Sequence, residues 1–488
     1  MRKISFYLAG ISFLSFFKMA YGYSDGQENV NSQDIANNND RINDQKKLNV
    51  LFIAVDDLRP ELGCYGHQMV KSPNIDKLAS EGIMFNNAYC QVALSNPTRA
   101  SLLTGMRPDA IKVYDLQAHF RDYAPASVSL PEYFKHQGYH SVSLGKIFHL
   151  KDEQSWSIPS WDSDKPNYVL DENLELIMTS ERKRGPSTEM ANVSDTAYCD
   201  GAIAEKAVET LRSIGDKPFF LAVGFYKPHL PFCAPQKYWN QYDPDKITVP
   251  DTLPPLNVAS HSLTNFQELR NYAGVPAVNA LSEQQSRHLI HGYYAAVSYM
   301  DAQVGRILDE LKRLGLDKNT IVVLWGDHGW KLGEYGNWCK HTNVDYDLRV
   351  PLIIRTPGMK SKNTQTNAIT ELIDVYPTLC NQAGLQIPGK LQGEDFSFLL
   401  NSPDKEFKDA AFSQFERPNN IMGYSMRTNA YRYTCWLNMN DKEVVEEELY
   451  DYDNDPQGMA NVIKHIDYRK ITVELKEKFY KAVLHQYD

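Results

Sequence analysis

The sequence predicts an α/β protein with a large, mainly parallel sheet sandwiched by helices and a smaller C-terminal antiparallel α+β subdomain. Short apolar runs alternate with helical patterns from Leu48 onward, which is typical of a parallel sheet wrapped by helices. The 488 residues, 42% of them hydrophobic, can bury a large core and exceed one minimal domain. After about residue 404 the apolar runs shorten and partly alternate, which favours antiparallel strands.

The strands of the large sheet are predicted from short apolar runs bounded by turn residues. They are residues 49–55, 139–144, 219–224, 320–325 and 351–354. Proline or serine at the start and glycine at the end predict helices between them, over residues 73–82, 131–138 and 282–315. These elements define a catalytic α/β domain over residues 48–403.

The C-terminal subdomain is predicted over residues 404–488. Its strands are short and partly alternating, and they are placed at residues 412–414, 424–427, 431–436 and 448–452. A closing helix runs from residue 467 to about residue 484. We expect this small sheet and its helix to pack on the large domain.

The N-terminus has the pattern of an export signal. Arg2 and Lys3 precede an apolar stretch over residues 4–17, and Ala20 and Gly22 are small residues suited to a cleavage site. We predict a signal peptide over 1–22, with an uncleaved anchor as the alternative, and a flexible leader over 23–47. No other stretch reaches the roughly 20 apolar residues that a membrane-spanning helix needs, so the mature protein is predicted to have no membrane span.

Charge and cysteine content exclude several classes of protein. The net charge of −10 argues against binding to nucleic acid or to an anionic membrane. Seven cysteines are scattered without a C-x-x-C pair, which excludes a zinc framework and a dense disulfide scaffold. At least one of them must be a free thiol, and we expect most to be buried as small hydrophobic residues.

Chemically reactive side chains follow four predicted strands. The residues concerned are Asp56 and Asp57, Lys146 and His149, Lys227 and His229, and Asp327 and His328. Ligands of open parallel sheets bind outside the carboxyl ends of the strands, so these side chains are expected at one site.

A cation site is predicted from the acidic residues in this set. Carboxylate oxygens are the ligands that calcium and magnesium prefer, so Asp56, Asp57 and Asp327 suit a hard cation. His328 suits it less, because imidazole is a softer ligand.

Residues 95–105 contain the most specific pattern. Pro97 presets a helical backbone, so Ser95 is expected just before a helix amino terminus, where free N–H groups favour an anion. Arg99 follows one turn later and can pair with a negative oxygen or with the nucleophile. Thr104 and Gly105 end the element.

This pattern resembles the signature of the type I sulfatases, in the alkaline phosphatase superfamily. The motif is Ser95-x-Pro97-x-Arg99 followed by Thr104-Gly105, and the similarity extends over nearly all of the chain after residue 48. Further matching stretches are residues 49–57, 145–149, 327–329, 448–451 and 455–456. Residues 55–60, 107–109, 224–231 and 327–334 resemble the iduronate-2-sulfatase branch, which shares His328 where most type I sulfatases have Asn.

The resemblance implies a nucleophile that is made after translation. In the family, the Cys or Ser of the motif is oxidised to formylglycine (3-oxoalanine), and the hydrated aldehyde attacks the sulfate ester. This chain has Ser95 where the mammalian-type enzyme has Cys, and Ser versions are matured by radical-SAM enzymes of bacteria. We therefore expect a bacterial protein, periplasmic or secreted, that depends on such a sulfatase-maturating enzyme.

The resemblance also implies a Ca²⁺ site and a set of catalytic roles. Asp56, Asp57, Asp327 and His328 would hold the ion, with the modified residue 95 completing its shell. The implied roles are fixation of the hydrate by Arg99 and Lys146, proton uptake by Asp327, binding of the sulfate by Lys340, protonation of the leaving alcohol by His229, and elimination of sulfate by His149.

The implied substrate is the 2-O-sulfate of a uronic acid at the non-reducing end of a heparan, chondroitin or dermatan oligosaccharide, including the unsaturated uronate that lyases leave. An exo-acting pocket fits the negative net charge better than an open cationic face. We expect a cationic residue near Lys340 or Arg417 to bind the uronate carboxylate. Trp330, His119 and Arg121 are further candidates for contact with the substrate.

Two other functions stay open at this point. A phosphatase or phosphodiesterase of the same superfamily would use unmodified Ser95, although such enzymes usually carry two transition metals and additional His and Asp ligands. An inactive glycan-binding homologue would keep the fold without turnover. The candidate catalytic residues are all present, which argues against the second alternative.

Overall fold

The structure is a computed structural model that describes residues 47–180, 183–264 and 267–483. The strands in this part of the chain, β1 to β16 in order, are Asn49–Val55, Ile83–Tyr89, His140–Gly145, Thr188–Ala191, Phe219–Phe225, Phe232–Pro235, Thr320–Gly326, Lys331–Leu332, Trp338–Cys339, Arg349–Val350, Leu352–Arg355, Thr364–Glu371, Ala411–Arg417, Ile421–Arg427, Tyr431–Asn438 and Val444–Asp451. The longer helices, α1 to α8, are Pro73–Glu81, Ser95–Thr104, Leu130–His136, Asp171–Thr179, Cys199–Ser213, Glu283–Arg313, Val375–Gln382 and Arg469–Val483. Four-residue helices cover Pro108–Ile111, Phe120–Tyr123, Gln236–Trp239, Gln267–Arg270 and Asp345–Leu348.

Eight strands form one large sheet in the order β10-β2-β11-β7-β1-β5-β3, with β12 paired to β2. The β1–β5, β1–β7, β3–β5 and β2–β12 pairs are parallel, and β10 and β11 run antiparallel to their neighbours. Because β11 is antiparallel to both β2 and β7, β2 points the same way as β7. Six of the eight strands therefore share one direction, and the predicted mainly parallel sheet is confirmed.

Both faces of this sheet are buried, which explains the continuous apolar runs of its strands. In β1, Leu51, Ile53 and Val55 pack into the cluster that contains the long helix α6. Val50 and Phe52 face the opposite way, into a second cluster that includes residues of α3 and α7. Helices therefore cover the sheet on two sides.

Three features of the sheet differ from the sequence prediction. The sequence does not predict β2 or β12, because both carry polar residues: β12 reads Thr-Gln-Thr-Asn-Ala-Ile-Thr-Glu and exposes part of its length. The strand predicted at 351–354 is Leu352–Arg355, and it runs antiparallel to β7. Periodicity reports the burial of a strand, and it carries no information on strand direction.

The helix boundaries follow their capping residues. Ser282 caps α6 by accepting a hydrogen bond from the Gln285 backbone N–H. The predicted position of Ser95 is corrected: α2 begins at Ser95 itself, and Leu94 is the cap residue. Pro97 fits here because the first residues of a helix have N–H groups without an intrahelical acceptor, so its missing N–H removes no helical bond.

The C-terminal strands form a separate antiparallel sheet in the order β13-β14-β15-β16. Leu475, Phe479 and Val483 of α8 pack on one of its faces. The Gln414 backbone N–H donates to Gln91 O at 2.8 Å and thereby ties β13 to the large sheet. The predicted antiparallel α+β arrangement is confirmed, and the domain boundary at residue 404 stays a prediction.

The predicted signal peptide (1–22) and the predicted leader (23–47), apart from Lys47, lie outside the described residues. Within residues 47–180, 183–264 and 267–483, no helix combines the length and apolar character that crossing a membrane requires. All seven cysteines are free thiols, and every one except Cys64 is buried. They are therefore small core residues, as predicted.

Candidate functional site

Four adjacent strands deliver the predicted reactive side chains to one edge of the sheet. The strand order β7-β1-β5-β3 makes the ends of these strands neighbours. Asp327 follows β7, Asp56 follows β1, and Lys146 follows β3. Gly224 of β5 allows the close approach of the next strand exit, since a Cβ there would lie 1.9 Å from Lys146 O. The predicted convergence of the strand exits is therefore present in the structure.

Asp56, Asp57, Asp327 and His328 form a completely buried acidic centre. Asp327 Oδ1 accepts hydrogen bonds from the backbone N–H of Asp57 at 3.0 Å and of His328 at 2.9 Å, which holds the two strand exits together. Asp57 takes a left-handed backbone conformation (φ 59°), which Asp tolerates better than most residues. Burial raises the pKa of both Asp57 and Asp327 above the usual range.

Three cationic side chains surround this centre. Arg99, which is completely buried, donates Nε to Asp327 Oδ2 at 2.8 Å and Nη2 to Asp56 Oδ1 at 3.1 Å. Lys146 Nζ pairs with Asp56 Oδ2. Burial alone would raise the pKa of Asp56, but Lys146, His229 and Arg99 together hold it well below its usual value. Lys340 Nζ pairs with Asp57 Oδ1 at 2.9 Å.

Ser95 lies at the middle of these groups and is only 3% exposed. Its Oγ donates to Asp56 Oδ1 at 3.0 Å and lies 3.1 Å from His328 Nε2. Thr98 Oγ1 donates to Asp327 O at 3.1 Å, which fixes helix α2 against the end of β7. The side chain of residue 95 therefore touches the acidic centre directly.

The donor set of the acidic centre fits a divalent cation. Each of its four residues presents one ligand atom, and these atoms lie within 4.8 Å of one another. His328 Nδ1 lies 3.0 Å from Gly329 O and donates to it, which leaves the Nε2 lone pair facing Ser95 and the carboxylates. Burial lowers the pKa of His328 to about 4, so the ring is neutral at physiological pH. A neutral nitrogen among carboxylate oxygens is a ligand arrangement for a cation.

His229 and Glu268 form the side of the site next to Lys340. His229 Nδ1 lies 2.6 Å from Leu230 O, and its Nε2 lies 3.0 Å from Glu268 Oε1. Glu268 Oε2 also accepts from Lys340 Nζ at 3.1 Å. Burial would raise the pKa of Glu268, but Lys340 and His229 lower it well below the usual value. Lys227 is turned inward, and its Nζ donates to His229 O at 2.8 Å.

Sequence reasoning does not find Glu268. It belongs to the four-residue helix Gln267–Arg270, which follows no strand and has no motif around it. A single acidic residue in a long polar connection gives no signal that separates it from surface residues. Only the contacts with His229 and Lys340 identify it.

His149 lies beside Lys146 and lacks a hydrogen bond at Nδ1, which is buried. Burial, the Lys146 charge and the Arg99 charge lower the pKa of His149 to about 4. The ring is therefore neutral at physiological pH and can accept a proton.

The side chains of the residues predicted to contact the substrate already interact with other groups of the protein. Arg121 pairs with Asp152 at 2.6 Å and with Glu132 at 2.7 Å, so its charge is already paired within the protein. Trp330 is completely buried beneath Lys340. Arg417 donates Nε to His261 O at 2.7 Å and stacks on the rings of Phe415 and Trp436. His119 caps the helix Phe120–Tyr123.

Comparison with known proteins finds sulfatases. The family model described as Sulfatase matches residues 48–385, and the one described as N-sulphoglucosamine sulphohydrolase, C-terminal, matches residues 333–485. The iduronate 2-sulfatase of Homo sapiens is 34% identical over 507 residues, covering 84% of this chain and 90% of that protein.

Solved structures share the fold over most of the chain. The structure of BT1596, a 2-O GAG sulfatase, has a TM-score of 0.69 and 25% identity, covering 91% of this chain and 93% of that chain. The phosphonate monoester hydrolase of Agrobacterium radiobacter has a TM-score of 0.71 and 21% identity, covering 89% of this chain and 95% of that chain. At that identity the second structure shows a common fold and no common activity.

Proposed function

Since this chain belongs to the sulfatase family and is a sulfuric ester hydrolase, we propose that it removes the 2-O-sulfate of a uronic acid at the non-reducing end of glycosaminoglycan oligosaccharides. Its nucleophile would be the hydrate of a formylglycine made from Ser95. The observation that carries the proposal is the contact of Ser95 Oγ with Asp56 and His328 inside a ring of three cations. The similarity to iduronate 2-sulfatase and to a 2-O GAG sulfatase supports the substrate class.

The acidic centre would hold Ca²⁺ through Asp56, Asp57, Asp327, His328 and residue 95. When bound, the ion would neutralise charge on the sulfuryl group and lower the pKa of the attacking hydroxyl. Asp327 is assigned as the base that takes the proton of that hydroxyl, and its raised pKa suits a proton acceptor. Arg99 and Lys146 would keep the hydroxyls of residue 95 oriented, since both contact Asp56 next to it.

Lys340 and His229 are assigned to the sulfate and the leaving alcohol. A sugar alkoxide is a poor leaving group, so a proton must reach the bridging oxygen as its bond to sulfur breaks. Both nitrogens of His229 face acceptors, which favours the protonated ring. Burial lowers the pKa of His229, but Asp57 and Glu268 raise it above the usual value, so His229 suits a general acid. His149, which is neutral, would then accept the proton that accompanies loss of sulfate from residue 95.

The burial of Ser95 bears on its maturation. At 3% exposure, its hydroxyl cannot enter the active site of another enzyme while the chain is folded. The proposed radical-SAM maturating enzyme must therefore act on the unfolded chain. We propose that folding as a periplasmic or secreted protein follows this oxidation.

Mass spectrometry of the peptide containing Ser95, from protein made in its native host, tests the proposal together with an assay on 2-O-sulfated disaccharides. Loss of two hydrogens at Ser95 and release of sulfate are expected, and Ser95→Ala should abolish both. Unmodified Ser95 with robust phosphatase or phosphodiesterase activity would favour the alternative enzyme class. Unmodified Ser95 with glycan binding and no turnover would favour the inactive homologue.

A further inference from the structure

A pocket of about 210 Å³ opens beside Lys146 and His149, between the ends of β3 and β5 and residues 148–162. This volume is below the roughly 300–1,000 Å³ of pockets for drug-sized ligands, and it suits a single sugar ring. Lys146 pairs with Asp56, whose Oδ1 accepts from Ser95 Oγ at 3.0 Å. The pocket therefore begins one side chain away from the reacting position.

Aromatic side chains form a large part of the pocket wall. They are Phe148, Trp156, Trp161 and Tyr226. Trp156 is buried, and Trp161 and Tyr226 are half-buried, so their rings are held by the protein and still border the pocket. Such rings present apolar surface to the C–H faces of a sugar and leave its hydroxyl groups free for hydrogen bonds.

Charged side chains of both signs line the pocket. The positive charges are those of Lys146 and Lys151, and the negative charges are those of Asp152 and Asp162. The Asp152 carboxylate is paired with Arg121, with contacts of 2.6 and 2.7 Å, so its charge is partly compensated within the protein. Asp162 Oδ2 accepts from the Tyr226 hydroxyl at 2.5 Å, and its Oδ1 accepts from the Ser163 backbone N–H at 2.8 Å.

Two groups in the pocket have unused hydrogen-bonding capacity. Lys151 is exposed, and among the described residues its ammonium group takes part in no ion pair or hydrogen bond. His149 Nδ1 is buried without a partner, although a buried polar atom normally has one. The other cations considered for recognition of a carboxylate are occupied: Lys340 by Asp57 and Glu268, and Arg417 by His261 O.

We propose that this pocket is the subsite for the acidic sugar ring and that Lys151 binds its carboxylate, so that Lys151 determines specificity for uronate over neutral sugars. This inference rests on the proposed function and adds the residue that reads the acid group. His149 and Lys151 both line this pocket: His149 Nδ1 is buried without a partner, whereas Lys151 is exposed.

Kinetics with matched substrates test the assignment. The variants are Lys151→Gln, Lys151→Arg and the control Lys165→Gln, which removes an exposed lysine outside the pocket. The substrates are a 2-O-sulfated unsaturated uronate disaccharide, its carboxyl-reduced analogue and 4-methylumbelliferyl sulfate. Thermal unfolding confirms that each variant is folded.

We expect Lys151→Gln to lower kcat/KM for the carboxylated disaccharide by about tenfold to hundredfold, the range for loss of a hydrogen bond between charged groups. The reduced analogue and the aryl sulfate should change less than about twofold, since they lack the carboxylate. Lys151→Arg should retain most activity, and Lys165→Gln should match the wild type. Equal losses on carboxylated and reduced substrates, or no loss on either, would overturn the assignment.

A binding measurement separates this inference from the proposed function. Calorimetry with Ser95→Ala protein compares the carboxylated and reduced disaccharides with Lys151 intact and with Lys151→Gln. A carboxylate preference that needs Lys151, in a protein whose matured wild type hydrolyses no sulfate ester, would refute the function and support the subsite. Sulfate release by the wild type without any effect of Lys151 on either assay would refute the subsite alone.

Discussion

Replacement of His229 by Gln tests the proposed acid at the bridging oxygen. The Gln amide can occupy the position of His229 Nε2 beside Glu268, and it cannot donate a proton in catalysis. General acid catalysis contributes about 10² to 10⁴-fold, so the barrier for a sugar sulfate should rise by about 3–5 kcal/mol. A nitrophenyl sulfate, whose phenolate leaves without a proton, should lose less than about tenfold.

The pH profile gives a second result from the same variant. His229 must be protonated to act, and Asp57 and Glu268 raise its pKa above the ordinary 6.5 although burial opposes them. Activity on the sugar sulfate should therefore be present below that raised pKa and fall as pH rises through it. In His229→Gln this alkaline decline should disappear.

Both effects are measured as initial rates on the two substrates between about pH 5 and 9, the range in which imidazole titrates. The control variant is His465→Gln, which replaces an exposed histidine. Equal losses of rate on the sugar sulfate and the nitrophenyl sulfate would refute the role of His229 as general acid. They would show that His229 binds the sulfate group in common to both substrates.

Three further predictions concern the metal, the maturation step and the interior. Removal of divalent cation by a chelator should abolish turnover and lower the unfolding temperature, and adding Ca²⁺ should restore both. At a free Ca²⁺ concentration of 100 Kd, the bound ion adds about 2.7 kcal/mol to the free energy of unfolding. Asp57→Asn should bind Ca²⁺ at least roughly tenfold more weakly by calorimetry. Incubation of folded protein with its maturating enzyme should leave Ser95 unmodified by mass spectrometry, whereas the unfolded chain should be oxidised, since Ser95 is 3% exposed when folded. Lys331→Met should lower the free energy of unfolding by about 3–5 kcal/mol in denaturant titration, because it leaves the completely buried Asp347 without its cation; Lys246→Met, at an exposed position, should have no measurable effect.

Local sequence predicted most of the site because its members follow strand ends or belong to a short motif. Asp56, Lys146 and Asp327 each come directly after or within a few residues of a buried apolar run, so their position at a strand exit needs only the pattern. Ser95 and Arg99 are one helical turn apart, so Pro97 and the helix geometry bring them to the same acidic centre. In each case the pattern that predicts the position lies within a few residues of the chain, although the contacts in the site join distant segments.

The tertiary structure decided what local patterns do not encode. Glu268 reaches His229 and Lys340 from a four-residue helix distant in sequence, and its contacts depend on how a long connection folds over the sheet. Arg121 is a candidate for substrate contact by its residue type, but its guanidinium group is paired with Asp152 and Glu132. β12 joins the large sheet despite its polar residues, because pairing with β2 satisfies its backbone and leaves part of it exposed.

The sequence by itself predicted the class of fold, the candidate nucleophile Ser95 and the candidate cation ligands, because periodicity, turn residues and a short motif each extend over only a few positions. The tertiary structure alone decided which cations are already paired and which stay available to a substrate. The sequence does not distinguish Lys340 and Arg417 from Lys151 as cations available to a substrate. In the structure Lys340 pairs with Asp57, and Arg417 donates to His261 O. The proposed role of Lys151 in binding an acidic sugar therefore depends on the folded structure.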